Sequence, residues 1–281
     1  MSEKHIVRQA TPGDVSKIAS FLSGARYIHQ HLDWRTPLDW VGSQPYVLLE
    51  ESERIIGLLS YPEDPPGISW IRCFAAAAGS PPSKVWEELF PETLKQQQTQ
   101  KTVICSLGLQ NWFASLLLSN NFTHFQDIVV LIWDRKVIKP RPLPAGFEIR
   151  RMTPGDVDAV AEVDRRSFEA LWVNSADTLR RALQQSDLAE VLEYQGAIVG
   201  YQICTANMFS AHLARLAVLP DFQRHGLGSN LVNSIYEHYR QKNIDQVTVN
   251  TQRNNFSSLT LYRKMGFEVT DEHYPILVYN R

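Results

Sequence analysis

"PDFQRHGLGSNL", residues 220–231, sets two glycines two positions apart directly ahead of an amphipathic run. Glycine lets the backbone take positive φ and come close to a ligand without a Cβ in the way. Where such a stretch opens a helix, its successive N–H groups converge and the helix end adds about half a positive charge. A loop of this kind is either an ordinary helix start or a cradle for a phosphate. It is not a dinucleotide fingerprint, because Leu231 stands where G-x-G-x-x-G needs its third glycine, and no G-K-[ST] follows. The decision rests on what surrounds it.

Upstream, "HLARLAVL" (212–219) reads as an apolar strand; downstream, Leu227, Leu231, Ile235 and Tyr239 recur every four residues and give a helix to about Lys242 with one buried stripe. "AEVLEYQGAIVGYQICTAN" reads as a hairpin turning at Gln195-Gly196. Thr153-Pro154 opens a helix, another covers roughly 175–185, and "QVTVNT", "FSSLTLYRKM" and "HYPILVYN" complete the pattern as strand, helix and strand. Hairpins mixed with crossovers predict an α/β (α+β) fold with a mixed, mostly antiparallel sheet flanked by helices.

The chain is written twice. "TPGDV" occurs at 11–15 and again at 153–157, and "VICSLGLQNWFASLLLSNNFTHFQDIVVLIW" parallels "VTVNTQRNNFSSLTLYRKMGFEVTDEHYPILVY". Between the copies "KVIKPRPLPAG" (136–146) alternates Pro140, Pro142 and Pro144, which predicts a stiff exposed connector. The expected division is therefore 1–135, a linker at 136–146, and 147–281.

At this point the second half resembles the GCN5-related N-acetyltransferase superfamily. Its [QR]-x-x-G-x-[GA] signature reads Gln223-Arg224-His225-Gly226-Leu227-Gly228, and its N-x-x-[AS]-x-x-L-Y-x-x-x-G-F signature reads Asn255, Ser258, Leu261, Tyr262, Gly266 and Phe267. The resemblance covers about 147–281 and, more faintly, 5–134, which makes the chain similar to tandem members of the family. It implies binding of acetyl-CoA (coenzyme A) as co-substrate. The pyrophosphate would lie on the amides of 224–229, so Arg224, His225, Gly226, Leu227, Gly228 and Ser229 are implied with Gln223. Leu216, Ala217 and Val218 would pair with the pantetheine arm, and the Val218 amide would polarise the thioester carbonyl. Asn255 would hydrogen-bond the arm. Tyr262, which alone would read as a core aromatic, is implied as the acid that protonates the departing thiolate.

Two departures matter. The flavour is that of ribosomal-protein alanine N-acetyltransferases, but the position of that subgroup's glutamate base holds Asn250; Glu169, Asp271, Glu272 and His273 are the alternatives. In the first half "AGSPPSKVWEEL" replaces the cradle, so Pro81 and Pro82 remove two amide donors, and Leu117 or Leu118 stands at the place of Tyr262. The first half is expected to be a degenerate copy.

Composition sets the outer limits. The 281 residues are 44% apolar and 21% charged with net charge −2, so neither nucleic acid nor a membrane is expected as partner. Cys73, Cys105 and Cys204 form no C-x-x-C pair and read as buried thiols; no metal is expected, and the protein is expected to be cytoplasmic. Trp34, Trp40 and Tyr46 either line an acceptor groove or pack inside. The expected activity is transfer of an acetyl group to a primary amine, on a peptide or small molecule, by direct attack. The alternative is a non-catalytic acyl-CoA-binding or regulatory module. Which amine accepts, the acyl-chain preference and the oligomeric state are left open by the sequence.

Overall fold

In the computed structural model, which describes residues 5–96, 102–133, 138 and 142–280, the chain forms two compact units. One comprises 1–125 with 274–281, the other 126–273. Of the proline-rich connector predicted at 136–146, residues 136, 137 and 139–141 lie outside the described residues.

The first unit contains β1 (His5–Gln9), α1 (Val15–Gly24), β2 (Tyr27–Gln30), β3 (Tyr46–Glu51), β4 (Arg54–Ser60), β5 (Ile68–Trp70), β6 (Cys73–Ala76), α2 (Pro82–Gln96), β7 (Val103–Leu107), α3 (Asn111–Leu118) and the start of β8 (Phe122–Trp133). One sheet has the order β1-β3-β4-β6-β2, antiparallel throughout. β5 leaves that sheet and runs parallel to β7, ending at the pair Trp70–Cys105. The second unit contains the rest of β8, then β9 (Phe147–Arg151), α4 (Val157–Ser167), α5 (Ala176–Gln185), β10 (Leu188–Tyr194), β11 (Ala197–Ala206), β12 (Ser210–Val218), α6 (Leu227–Gln241), β13 (Gln246–Gln252), α7 (Phe256–Lys264) and the start of β14 (Phe267–Tyr279). Its strands follow the order β8-β13-β12-β11-β10-β9. The mixed, mostly antiparallel sheet with flanking helices matches the fold class read from the sequence.

The duplication is also visible in the side chains. In the first unit Arg8 reaches Asp14 at 2.7 Å and Glu50 at 2.6 Å; in the second, Arg150 reaches Asp156 at 2.8 Å and Glu193 at 2.7 Å. Asp14 and Asp156 each accept from the N–H and hydroxyl of the threonine three residues earlier, Thr11 and Thr153. That local clamp turns the first strand into the first helix, which is why "TPGDV" appears at both places. Each arginine holds its aspartate far below the usual carboxylate range.

The units do not follow the two linear halves. β8 and β14 are 12 and 13 residues long, and each changes unit part-way along. The end of β14 pairs with β7 in the first unit (Ile276–Leu107, Leu277–Ser106), whereas the end of β8 pairs with β13 in the second (Leu131–Val249, Val129–Thr251). The two strands that the sequence aligned as counterparts thus complete each other's unit. Both end in a continuous apolar run, and such a run says that a strand is buried but not which strand lies alongside.

In the core of the second unit Ile235 and Tyr239 of the stripe read from the sequence pack with Val247, Val249, Trp133 and Phe267, and Leu227 and Leu231 of the same stripe are buried too. In the first unit Trp86, Phe74, Phe113 and Phe122 do the same work. Trp40 and Tyr46 are buried with Ile18 and Leu48, so of the two readings for these aromatics, packing holds for them. All three cysteines are free and buried. No helix among the described residues is long and apolar enough to cross a membrane.

His29 on β2 is buried, stacked on Phe113 at 4.1 Å, with Gln110 at 3.2 Å and Ser106 at 3.3 Å from its ring nitrogens. Burial pushes it down from 6.5 to about 4. Its folded-state value lies below its unfolded value, so the unfolded chain binds the extra proton and stability falls as pH drops from 6.5 toward 4. The loss is roughly 3 kcal/mol by linkage. Urea unfolding of the wild type should show this fall, and His29→Leu should have a clearly shallower acid slope; parallel slopes would contradict the assignment.

Candidate functional site

The site begins with an interruption of β12. Ile203 pairs with Arg215 but Cys204 pairs with Leu213, so Ala214 is an extra residue, a bulge. The parallel pairing of β12 with β13 ends at Leu213–Val249, and beyond it the β13-side edge of β12 has no strand partner among the described residues. Strand alternation then decides which groups face this open edge. Leu219 donates to the Val199 carbonyl on β11 at 2.8 Å, and the Ala217 carbonyl also lies against β11. The main-chain groups of Leu216 and Val218 therefore point the other way. Consistently, the Val218 carbonyl accepts from Gln223 Nε2 at 2.9 Å, across the turn.

The turn then enters α6 through two left-handed residues, Arg224 (φ 66°) and Gly226 (φ 82°). The first bond of the helix is Asn230 N–H to the Gly226 carbonyl at 3.2 Å, so the N–H groups of Leu227, Gly228 and Ser229 precede any i−4 acceptor. Gly228 serves a different purpose from Gly226. A Cβ on it would lie 3.1 Å from Leu261 Cδ2, so its absence lets the start of α6 lie close to α7.

These elements border a cleft of about 590 Å³. Of the residues read from the sequence, Leu216, Ala217, Val218, Gln223, Arg224, Gly226, Leu227, Gly228, Ser229 and Asn255 line it. His225 does not: it is exposed, with its Nδ1 3.2 Å from the Phe222 carbonyl. Asn255 caps α7, its Oδ1 accepting from Ser258 N–H at 3.1 Å and its Nδ2 donating to Gln252 at 3.2 Å. Tyr262 is 5% exposed, on the core side of α7 with Phe267 edge-on at 5.6 Å, and is not part of the cleft lining. Burial first, then Cys204, raises its phenol further above neutrality, and Arg215 works in the opposite direction. Asn250 sits on β13 opposite Val130, and none of Glu169, Asp271, Glu272 and His273 lines the cleft.

The sequence reading missed a buried charge beside this edge. Arg215, directly after the bulge, pairs with fully buried Asp164 of α4 at 2.7 Å and lies 3.5 Å over the Phe168 ring. It also donates to the Trp172 carbonyl, while Asp164 takes the Tyr201 hydroxyl and, at 2.8 Å, the Asn174 N–H. Burial alone would lower the Arg215 pKa; Tyr201 and Asp164 more than offset this. The available signal was a lone arginine in the apolar run "HLARLAVL". Phe168 and Ser167 line the cleft, so this network shapes one of its walls.

The corresponding edge in the first unit is closed. β5 and β6 reproduce the splay: the strand runs parallel to β7 up to Trp70 and then, from Cys73, antiparallel to β4. The side of β6 away from β4 is taken by β2, with Tyr27–Ala76 through Gln30–Cys73 in register. Its helix α2 begins at Pro82 after Pro81, and Leu117 is buried where the second unit has Tyr262.

The Acetyltransferase (GNAT) family pattern matches residues 157–267. Those residues form a GNAT acetyltransferase domain. Over 153 residues the chain is 33% identical to a mycothiol acetyltransferase of Saccharomonospora viridis, 47% of this chain and 49% of that one. It therefore spans about half the length of that relative. It is 26% identical over 123 residues to the [ribosomal protein bS18]-alanine N-acetyltransferase of Haemophilus influenzae, 43% of this chain and 82% of that one. In fold it is similar to a tandem GNAT protein from the clavulanic acid biosynthesis pathway, with TM-score 0.63, 12% identity and 98% of both chains covered. A GCN5-related N-acetyltransferase from Sphaerobacter thermophilus gives TM-score 0.60 at 16% identity, over 98% of this chain and 95% of that one. The architecture is thus that of two GNAT-like domains in tandem.

Gly226 is at positive φ with open space around a would-be Cβ, so a side chain there costs conformation alone. Gly226→Ala should lower the unfolding free energy by about 1 kcal/mol, and Gly226→Asn by less, since asparagine tolerates the left-handed region. Thermal unfolding of the three proteins checks this; equal stabilities would show that the turn relaxes to another conformation.

Proposed function

We propose that the second unit is an acetyl-CoA-dependent N-acetyltransferase that acetylates a primary amine by direct attack in a ternary complex. The observation that carries this reading is the meeting, around one cleft, of an open strand edge at Leu216 and Val218 with the donor-rich start of α6. Acetyl-CoA would supply the activated acyl thioester. The residues present fit it: main-chain donors at 224–229 suit a pyrophosphate, and the unpaired edge of β12 suits an amide-bearing arm.

Within this reading each part of the chain has a task. The Val218 N–H, whose carbonyl is already held by Gln223, is the edge donor for a carbonyl that gains negative charge. Ala217, turned to β11, lines the cleft without offering its main chain. Asn255 stiffens the start of α7 beside the cleft through its cap. The Tyr262 hydroxyl keeps its proton at neutral pH, and the acid role requires that it reach the departing thiolate from behind the cleft lining when the co-substrate is bound. The acceptor amine has no carboxylate base on β13, since Asn250 cannot take a proton. It must arrive neutral or lose its proton to water.

The first unit is read as a copy that does not hold CoA in this manner, because β2 covers the strand edge and Pro81 and Pro82 replace two donors. Calorimetry should give one acetyl-CoA per chain, and Gly226→Pro should abolish it. Binding that survives Gly226→Pro would place a site in the first unit. Tyr262→Phe should leave the dissociation constant within a factor of a few and lower kcat by about 10²–10⁴. Unchanged kcat across the pH range would remove the acid role.

The lack of a carboxylate at Asn250 and in the cleft favours a second reading, a module that binds acyl-CoA without turning it over. A panel of primary amines with thiol-release detection separates the two. CoA binding with no release against any amine supports the module.

A further inference from the structure

The two units differ in one respect that their shared frame makes directly comparable. In the first, the chain leaving the first helix becomes β2 and adds itself to the open edge of the splayed strand. In the second, the corresponding chain, 169–172 at the 142-residue offset of the repeat, runs as a short helical turn and stays off the edge. Its sequence, "EALW", with Val173 following, is apolar enough to serve as a strand.

In the second unit Arg215 contacts this segment. The guanidinium takes the Trp172 carbonyl, covers the Phe168 ring at 3.5 Å, and is anchored to Asp164, which in turn binds the Asn174 N–H at 2.8 Å. Both ends of the 168–174 segment are therefore tied to one buried ion pair. The register identifies the counterpart of Arg215. Gly57–Ala76 and Ser60–Cys73 in the first unit match Gly200–Val218 and Ile203–Arg215 in the second, so Cys73 stands where Arg215 would be. A thiol cannot make these contacts, and there the segment lies on the edge.

We propose that Arg215 is a positioning residue that keeps the β12 edge open, by holding residues 168–174 as a wall of the cleft and preventing them from docking on Leu216 and Val218 as β2 docks on β6. The proposal rests on the reading of this cleft as the acetyl-CoA site, and it deepens that reading by naming what makes the site accessible. Loss of the clamp converts part of the population to a self-plugged form, and the apparent affinity falls by the fraction that stays open. A population nine-tenths plugged binds about tenfold more weakly.

The test compares wild type with Arg215→Cys. Hydrogen exchange is followed in the absence of any ligand on the peptide covering 213–219, together with acetyl-CoA titration and steady-state kinetics. The expected result has three parts. Exchange of the 213–219 amides slows, the acetyl-CoA dissociation constant and KM rise about tenfold, and kcat at saturation stays within about threefold. Unchanged exchange overturns the proposal whatever happens to affinity, because a merely structural role would loosen the region and not protect the edge. Unchanged affinity with slowed exchange overturns it as well. If Arg215→Cys does not fold, Arg215→Lys, which leaves Asp164 a partner, and Phe168→Ala weaken the same clamp and are read in the same way. Failure of the wild type to bind acetyl-CoA would sink the functional reading alone, since ligand-free exchange still reports where the segment lies.

Discussion

The parting of β12 from β13 after Leu213–Val249 is the constraint on which the candidate site depends. A strand inside a sheet spends its main-chain donors and acceptors on its neighbours and has none for a ligand. The bulge at Ala214 changes the direction of β12 while its pairing with β11 continues, so one edge opens without loss of the strand. The turn through Arg224 and Gly226 then starts α6 from the end of that edge, and Asn255 brings the start of α7 to the same cleft.

The first unit shows that the splay alone does not make a site. There the strand breaks fully between Trp70 and Cys73, yet the freed edge is satisfied internally by β2. Unpaired main-chain groups on a strand edge seek a partner, whether a ligand, another chain or the nearest free segment. The two units share the Arg–Asp–Glu cluster that starts the first helix, and they part where the chain after that helix goes. Buried charge decides this in the second unit. An ion pair such as Arg215–Asp164 contributes little net stability but strongly disfavours arrangements that leave either partner alone, which suits it to selecting one arrangement of a loop.

Much of this was legible in the residues. The spacing of Gly226 and Gly228 after an apolar strand, and Asn255 and Tyr262 at the next helix, pointed to one cleft, and ten of the residues so identified line it. That His225 is exposed and Tyr262 buried was not legible there: a motif gives positions along the chain but not the side to which each side chain turns. The Arg215 network was missed because its members, Asp164, Tyr201 and Arg215, lie on three separate elements. Only the lone charge in an apolar strand marked one of them.

By itself the sequence determined the duplication, the order of strands and helices, the helix start at Gly226 and the loss of donors at Pro81 and Pro82. These are local properties, set by backbone freedom, side-chain periodicity and the presence or absence of an N–H. The tertiary structure alone decided that β8 and β14 each complete the other half's unit, that β2 covers the edge in the first unit, and that Arg215 holds the matching segment off it in the second. Each is a choice between partners of equal local merit. Strand alternation is the same whichever neighbour a strand takes, so packing and the pairing of buried charge make that choice.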